Sequence, residues 1–189
     1  MNIPSSYSVE IKRCPCGLKE TQRVFRQAVS YLIAVVDHEW SAIESERSAN
    51  RRMMIIEHLV HTTKANMARY DFDDRFYKFP SYLRRSAIHM AVGAVSSHKS
   101  NLRNWENNGK QGKAPKLQTD RFAAPAFYKT DMYKPGEEPD SAYLKLFVRN
   151  DWVWVKVRLL KTDIKYLQKY WSHCAPSAPT LEKRYGKYY

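Results

Sequence analysis

Hydrophobic and polar positions follow two different periods along this chain. Ser6 to Lys12 (SYSVEIK) alternates and carries Tyr, Val and Ile, predicting a short strand that Pro15 and Gly17 end. From Leu18 the spacing changes. Leu18, Phe25, Ala28, Val29, Leu32, Ile33 and Val36 recur at three- and four-residue steps, predicting an amphipathic helix to about Trp40. Its other face carries Lys19, Glu20, Arg23, Arg26 and Gln27. A second helix is predicted from about Asn50 to Ala68, with Met54, Ile55, Leu59 and Val60 as its apolar side. The segment YDFDDRFYKFP reads as an aromatic-acidic connector closed by Pro80, because the residue before a proline avoids helical geometry.

Ser81 is the expected N-cap of a third helix. Leu83, Ala87, Ile88, Ala91, Val92 and Val95 form its apolar face, continued by Leu102 and Trp105. Gly93 in its interior costs about 1 kcal/mol relative to alanine, which points to tight packing against another backbone. The helix is expected to dissolve in Asn107-Asn108-Gly109-Lys110-Gln111-Gly112-Lys113.

Beyond that hinge the period falls to two. Pro125 to Lys129 is a strand candidate, and Met132 to Asp140 is a Pro/Gly/Glu turn. Tyr143 to Arg149 and Trp152 to Leu160 form a hairpin around Asn150-Asp151. In its second strand Trp152, Trp154, Lys156 and Arg158 share one face and Val153, Val155, Val157 and Leu159 the other, so the aliphatic side is the expected core. A last strand is expected from Thr180 (TLEKRYGKYY). A lone N-terminal strand needs partners, and the C-terminal strands are the available sheet. The predicted fold is therefore α+β: a small antiparallel β-barrel with a helical insertion between its first and second strands. Residues 1–17 would be the first barrel strand, 18–112 the helical insertion and 113–189 the remaining strands.

Charge sharpens this picture. The 189 residues carry a net charge of +13 with a pI near 9.7. From Arg75 through Thr119 nine Lys or Arg residues face a single acidic residue, Glu106, so eight of the thirteen net charges lie in that stretch. A field so local and one-signed suits a polyanion, nucleic acid before acidic membrane. With so few acids interleaved, the helix face would repel itself unless an anion lay against it. The apolar content of 43% argues against a disordered basic tail, and 13 Tyr, five Trp and seven Phe supply both core and stacking faces. No run approaches the ~20 apolar residues of a membrane span, and MNIPSSYSVEIK lacks a signal-peptide layout. The expected location is the cytoplasm. An odd set of three cysteines there implies free thiols. A zinc site from Cys14, Cys16, His173 and Cys174 is disfavoured, because C-x-C is not the usual knuckle spacing.

No catalytic constellation is legible. GxxxxGK[ST], GxGxxG, HExxH and GxSxG are all absent, and His38, His58, His61, His89, His98 and His173 are scattered. Asp71, Asp73 and Asp74 form the densest carboxylate cluster, but Arg69 and Arg75 beside them make a charge-balanced turn the simpler reading. No short Gly-turned helix pair marks a helix-turn-helix regulator.

The run FPSYLRRSAI, followed by AVGAVSSHKSNLRNWE, resembles the N-terminal half of TnpB (OrfB-type) proteins, transposon-encoded RNA-guided nucleases related to the type V CRISPR effectors. The hinge GKQGKAPKL, the strand pair around FVRNDWVWVKV and the closing PTLEKRYGKYY are similar to the same family. The resemblance implies a wedge-like barrel interrupted by a recognition insertion, gripping guide RNA and the guide–target heteroduplex. It also implies that cleavage belongs to a RuvC-like domain with three carboxylates and Mg²⁺, whose first aspartate is expected shortly after Tyr188-Tyr189. On this expectation the chain is not itself an enzyme, needs no cofactor of its own, and is a truncated product, a trimmed piece or a subunit beside a separate RuvC-like catalytic chain.

Arg84, Arg85, Lys99, Arg103, Lys110, Lys113 and Lys116 are then the expected phosphate contacts. Trp105, Tyr128, Trp152 and Trp154 are the stacking candidates, and Lys129 joins them beside Tyr128. The expected partners are guide RNA and target DNA. The competing expectation is a protein-interaction module that docks a catalytic chain through an unpaired final strand.

Overall fold

The computed structural model describes residues 5–119, 123–175 and 177–189. In chain order they form β1 (Ile11–Arg13), α1 (Leu18–His38), α2 (Trp40–Ile43), α3 (Ala49–Val60), α4 (Phe72–Arg75) and α5 (Ser81–Asn107). Then follow β2 (Tyr133–Pro135), β3 (Ser141–Val148), β4 (Asp151–Leu159), α6 (Lys161–Tyr170), β5 (Lys183–Arg184) and β6 (Lys187–Tyr188). The fold is mixed α and β. It divides into two compact units, one made of Met1–Gln22 with Ala124–Tyr189 and the other of Arg23–Ala123.

The first unit holds a four-stranded antiparallel sheet in the order β1-β4-β3-β2. The N-terminal strand does join the C-terminal sheet, pairing Ile11 with Leu159. The expected barrel does not form. β1 and β2 are three-residue edge strands at opposite ends of an open sheet, and β2 terminates in Pro135, which has no N–H to continue a ladder. The strand expected at Pro125–Lys129 makes only isolated bridges, Ala126 to Thr180 and Lys129 to Tyr133. The β3–β4 hairpin turns one residue earlier than the sequence suggests, at Arg149-Asn150 with φ of 50° and 62°. A two-residue turn with both residues in the left-handed region matches the right-handed strand twist, and Asn150 tolerates it readily.

Ala142, Leu144, Leu146, Val155 and Val157 are buried in this sheet, and Met132, Phe127 and Leu181 are buried in the same unit. The start of α1 is fixed there too. Gly17 sits at φ 89°, and a Cβ on it would lie 2.9 Å from both Leu146 Cβ and Val148 Cγ2. Thr21 Oγ1 accepts the Phe147 N–H at 2.8 Å, and Gln22 Nε2 donates to the Leu181 carbonyl at 2.9 Å. The final segment is not a single unpaired strand. It turns back at Tyr185-Gly186 so that Glu182 and Tyr189 exchange two backbone hydrogen bonds of 2.9 Å. The free strand on which docking of a catalytic chain was expected to depend is therefore paired with its own hairpin partner.

The second unit is helical. Phe25, Leu32, Val36, Ile56, Leu83, Ile88 and Val95 are buried there, and α3 packs on α5. Ser48 caps α3 by accepting the Arg51 N–H. The buried face of α3 is Met53, Ile56 and Val60, one residue round from the expected stripe, and Met54 is exposed. The connector expected before Pro80 contains α4, whose Phe72 is buried in a ring cluster with Tyr31, Phe76 and Phe79. Pro80, not Ser81, occupies the N-cap of α5, and no side chain caps it. Gly93 faces open space instead of a close neighbour, contrary to the tight packing expected of it. Among the described residues no helix is long and apolar enough to cross a membrane.

Candidate nucleic-acid interface

The one-signed field along α5 is answered from inside the second unit. Arg84 is 5% exposed, with Nη2 3.1 Å from Glu57 Oε1 and Nη1 3.9 Å from Asp73 Oδ1. Itself buried, it cannot reach a phosphate without abandoning two carboxylate partners, which removes it from the expected contacts. Arg85 Nε donates to Glu57 Oε2 at 3.0 Å. Lys99 Nζ lies 2.7 Å from Asp37 Oδ1, and Arg103 Nη2 2.7 Å from Glu44 Oε1. Arg85 and Arg103 remain largely exposed, but each already has a carboxylate. The anion that a repelling helix face requires is supplied by carboxylates on or beside α1, α2, α3 and α4.

The hinge after α5 is different. Asn108 ends the helix and Gly109 and Lys110 take positive φ, 72° and 58°. The Lys110 N–H returns to the Trp105 carbonyl at 2.9 Å, and the Trp105 indole Nε1 donates to the Gly112 carbonyl at 3.4 Å. Lys110 Nζ stands 6.0 Å from the centre of the Trp105 ring. These contacts fold the loop over the helix end. Lys110, Lys113 and Lys116 are exposed, and none of them has an ion-pair partner among the described residues. Trp105, half-buried, anchors the loop instead of lying open as a base platform.

In the first unit the outer face of the sheet carries the other candidates. Trp152 is 8% exposed, its ring 5.3 Å from Phe147, and burial takes it off the list of stacking platforms. Trp154 is 37% exposed, with Lys134 Nζ 4.3 Å from its ring centre and Lys145 directly opposite on β3. Tyr128 and Lys129 are both exposed, and the Tyr128 carbonyl accepts the Met132 and Tyr133 N–H groups. Lys156 and Arg158, at the far end of the face, are neutralised by an acidic turn. Glu137 lies 2.8 Å from Lys156, and Glu138 lies 2.6 Å from Arg158. The Lys156 ammonium, followed by backbone and Tyr143 donors, holds the Glu137 carboxyl down at about 2. Glu138 is lowered first by the Arg158 guanidinium. Lys134 and Lys145 are thus basic-aromatic neighbours of Trp154 that strand alternation alone did not pick out. Lys134 could have been found only by knowing that it pairs with Tyr143.

The Asp71-Asp73-Asp74 cluster is dispersed. Tyr31 donates to Asp71 Oδ1 at 2.6 Å, and Asp73 Oδ2 lies 2.8 Å from His61 Nδ1 while accepting the Thr62 N–H. Burial, reinforced by the Asp71 charge, pushes the Tyr31 hydroxyl up to about 12. These bonds tie the connector to α1 and to the end of α3. Among the described residues no group of three or more His, Cys, Asp or Glu is arranged to hold a metal ion. Cys14, Cys16 and Cys174 are free thiols, and Cys14 Sγ donates to the Cys16 carbonyl.

Residues 5–148 match the family model of the Aq_aa04 family. The uncharacterized protein aq_aa04 of Aquifex aeolicus (strain VF5) is similar to this chain, with 30% identity over 113 residues. That similarity covers 57% of this chain and 62% of the relative, less than two thirds of the relative's length. No solved structure matches the chain.

Proposed function

The chain belongs to the Aq_aa04 family, and we propose that it is a nucleic-acid-binding module that holds RNA by its phosphates without cleaving it. The hinge carries this function. Lys110, Lys113 and Lys116 are exposed on a loop pinned by Trp105 and Gly112, without carboxylates to neutralise them among the described residues. The lysines of a fixed loop lose less freedom on meeting an anion than those of a free one. Arg85, Lys99 and Arg103 are already neutralised and would add contact only by exchanging a carboxylate for a phosphate. In the other unit Trp154, beside Lys134 and Lys145, is a separate stacking face. The TnpB-like runs at Phe79–Leu117 and in the β3–β4 hairpin support guide RNA and an RNA–DNA hybrid as the ligands, with a RuvC-like nuclease as the functional partner.

The test is a fluorescence anisotropy titration of labelled RNA at several salt concentrations. Three or more phosphate contacts on a single strand predict a slope of log K against log salt of about −2 or steeper. Binding that is undetectable at low salt, or indifferent to salt, overturns the proposal.

A further inference from the structure

Helix α6 buries none of its residues, yet it is not featureless. Lys161, Lys165 and Lys169 recur every fourth residue, which places their Cα atoms about 6 Å apart along one stripe of the helix. All three are exposed. Lys165 has no ion-pair partner among the described residues, Lys169 Nζ stands 4.9 Å from the Tyr170 ring, and Lys161 is 4.0 Å from Asp140. The single acid of the helix, Asp163, is occupied elsewhere: it accepts the Tyr7 hydroxyl at 3.2 Å and the Glu10 N–H at 3.0 Å.

Next to this stripe stands a ladder of rings. Tyr7 stacks on Tyr166 with centroids 4.8 Å apart and planes within 14°, and Tyr166 meets Tyr170 at 4.7 Å. Tyr166 and Tyr170 are 43% and 49% exposed. In the same unit, at the start of α6, an open groove is lined by Lys12, Arg13, Arg158 and Lys161, with Asp140 as its acidic member. Lys161 is therefore shared between the groove and the stripe.

From this juxtaposition we propose a second, separate site in which α6 binds single-stranded RNA, its phosphates on Lys161, Lys165 and Lys169 and its bases on Tyr166 and Tyr170. The inference rests on the module being an RNA binder at all, but on none of the hinge residues. The complementarity is specific to such a strand. A regular row of cations about 6 Å apart suits successive phosphates, and tyrosine faces beside it suit unpaired bases, whereas a paired duplex offers none. An acidic peptide would use the lysines and leave the ring ladder unexplained.

The experiment uses the full chain with a fluorescein-labelled oligouridylate. In a chain whose Lys110, Lys113 and Lys116 are already glutamine, replacing Lys161, Lys165 and Lys169 by glutamine as well is expected to flatten the remaining salt slope by about 2. Tyr166→Leu with Tyr170→Leu is expected to weaken binding roughly tenfold at fixed salt. Far-UV circular dichroism checks the fold of each variant. Independently of any variant, oligouridylate carrying 5-iodouridine should photocrosslink the native chain at Tyr166 or Tyr170. A salt slope unchanged by the added α6 replacements, or crosslinks confined to other segments, overturns the α6 site while leaving the hinge proposal standing. Loss of all binding by the native chain at low salt overturns both.

Discussion

Arg84 on α5 and Glu57 on α3 form an ion pair with Nη2 3.1 Å from Oε1, and their side chains are 5% and 13% exposed. Glu57 also accepts from Arg85, so one carboxylate serves two guanidinium groups. Removing one member of such a pair strands the other charge away from water, at a cost of about 3–5 kcal/mol. Glu57→Ala is therefore expected to lower unfolding stability by that amount in urea. Arg84→Met together with Glu57→Leu should recover most of it, because a well-packed apolar pair removes both desolvation penalties. A double variant as unstable as Glu57→Ala would show that the pair does more than neutralise itself.

Gly93 lies inside α5 with nothing within 4 Å of where a Cβ would stand, and it is exposed. Gly93→Ala is expected to stabilise the chain by about 0.5–1 kcal/mol, through helix propensity and a less free unfolded state. Thermal unfolding should register a higher midpoint. A lowered midpoint would mean that something packs on this position after all.

Thr21 is fully buried and its hydroxyl takes the Phe147 N–H beyond the end of β2, where no strand residue is left to accept it. Thr21→Val keeps the shape and removes the acceptor, so a buried N–H is orphaned at about 1–3 kcal/mol. Thr21→Ser keeps the hydroxyl and loses only a methyl group. The serine variant is expected to retain protection of the Phe147 amide in hydrogen exchange, and the valine variant to lose it.

Helices α1 and α5 are legible in the sequence because their apolar positions repeat over 21 and 27 residues, long enough for the period to outweigh any single misfit. The α3 stripe slips by one because four consecutive apolar residues, Met53 to Ile56, leave two faces equally plausible. Helix α6 is not legible, since its ten residues offer Ile164 and Leu167 as a single aliphatic i, i+3 pair, too short a repeat to mark a helix. The β3–β4 hairpin is legible from its alternation, but Trp152 and Trp154 share a face and differ fourfold in exposure, which alternation cannot express. Least legible of all is the neutralisation of α5. The partner of Arg103 lies 59 residues away and that of Arg84 27 away, and only tertiary folding joins them. The field seen in the sequence narrows to the three hinge lysines for that reason.

Glu137 has a folded-state value near 2 against an ordinary 4.5, chiefly because Lys156 donates to it. A carboxyl whose value is depressed on folding stabilises the fold above its unfolded value. That contribution is therefore complete above pH 4.5 and is lost as the pH falls toward 2. Lys156→Met should move the Glu137 titration up toward 4.5 in carboxyl-detected NMR, and should remove this part of the acid sensitivity. A Glu137 titration unmoved by Lys156→Met would assign the depression to the Tyr143 hydroxyl and the backbone instead.

The hinge makes the sharpest functional prediction. If Lys110, Lys113 and Lys116 each neutralise one phosphate of a single strand, replacing all three by glutamine should lower the magnitude of the salt slope by about 2. Because such contacts carry little sequence information, the loss should be the same for unrelated RNA sequences. Trp105→Phe retains the ring but cannot donate to the Gly112 carbonyl. It is expected to weaken binding without changing the slope, since it loosens the loop while keeping every charge. Arg84→Met is the internal control: its guanidinium is sequestered by Glu57 and Asp73, so at equal folded fraction the salt slope should match that of the native chain. A slope that falls with Arg84→Met as much as with the lysine variants would return α5 to the interface and displace the hinge from it.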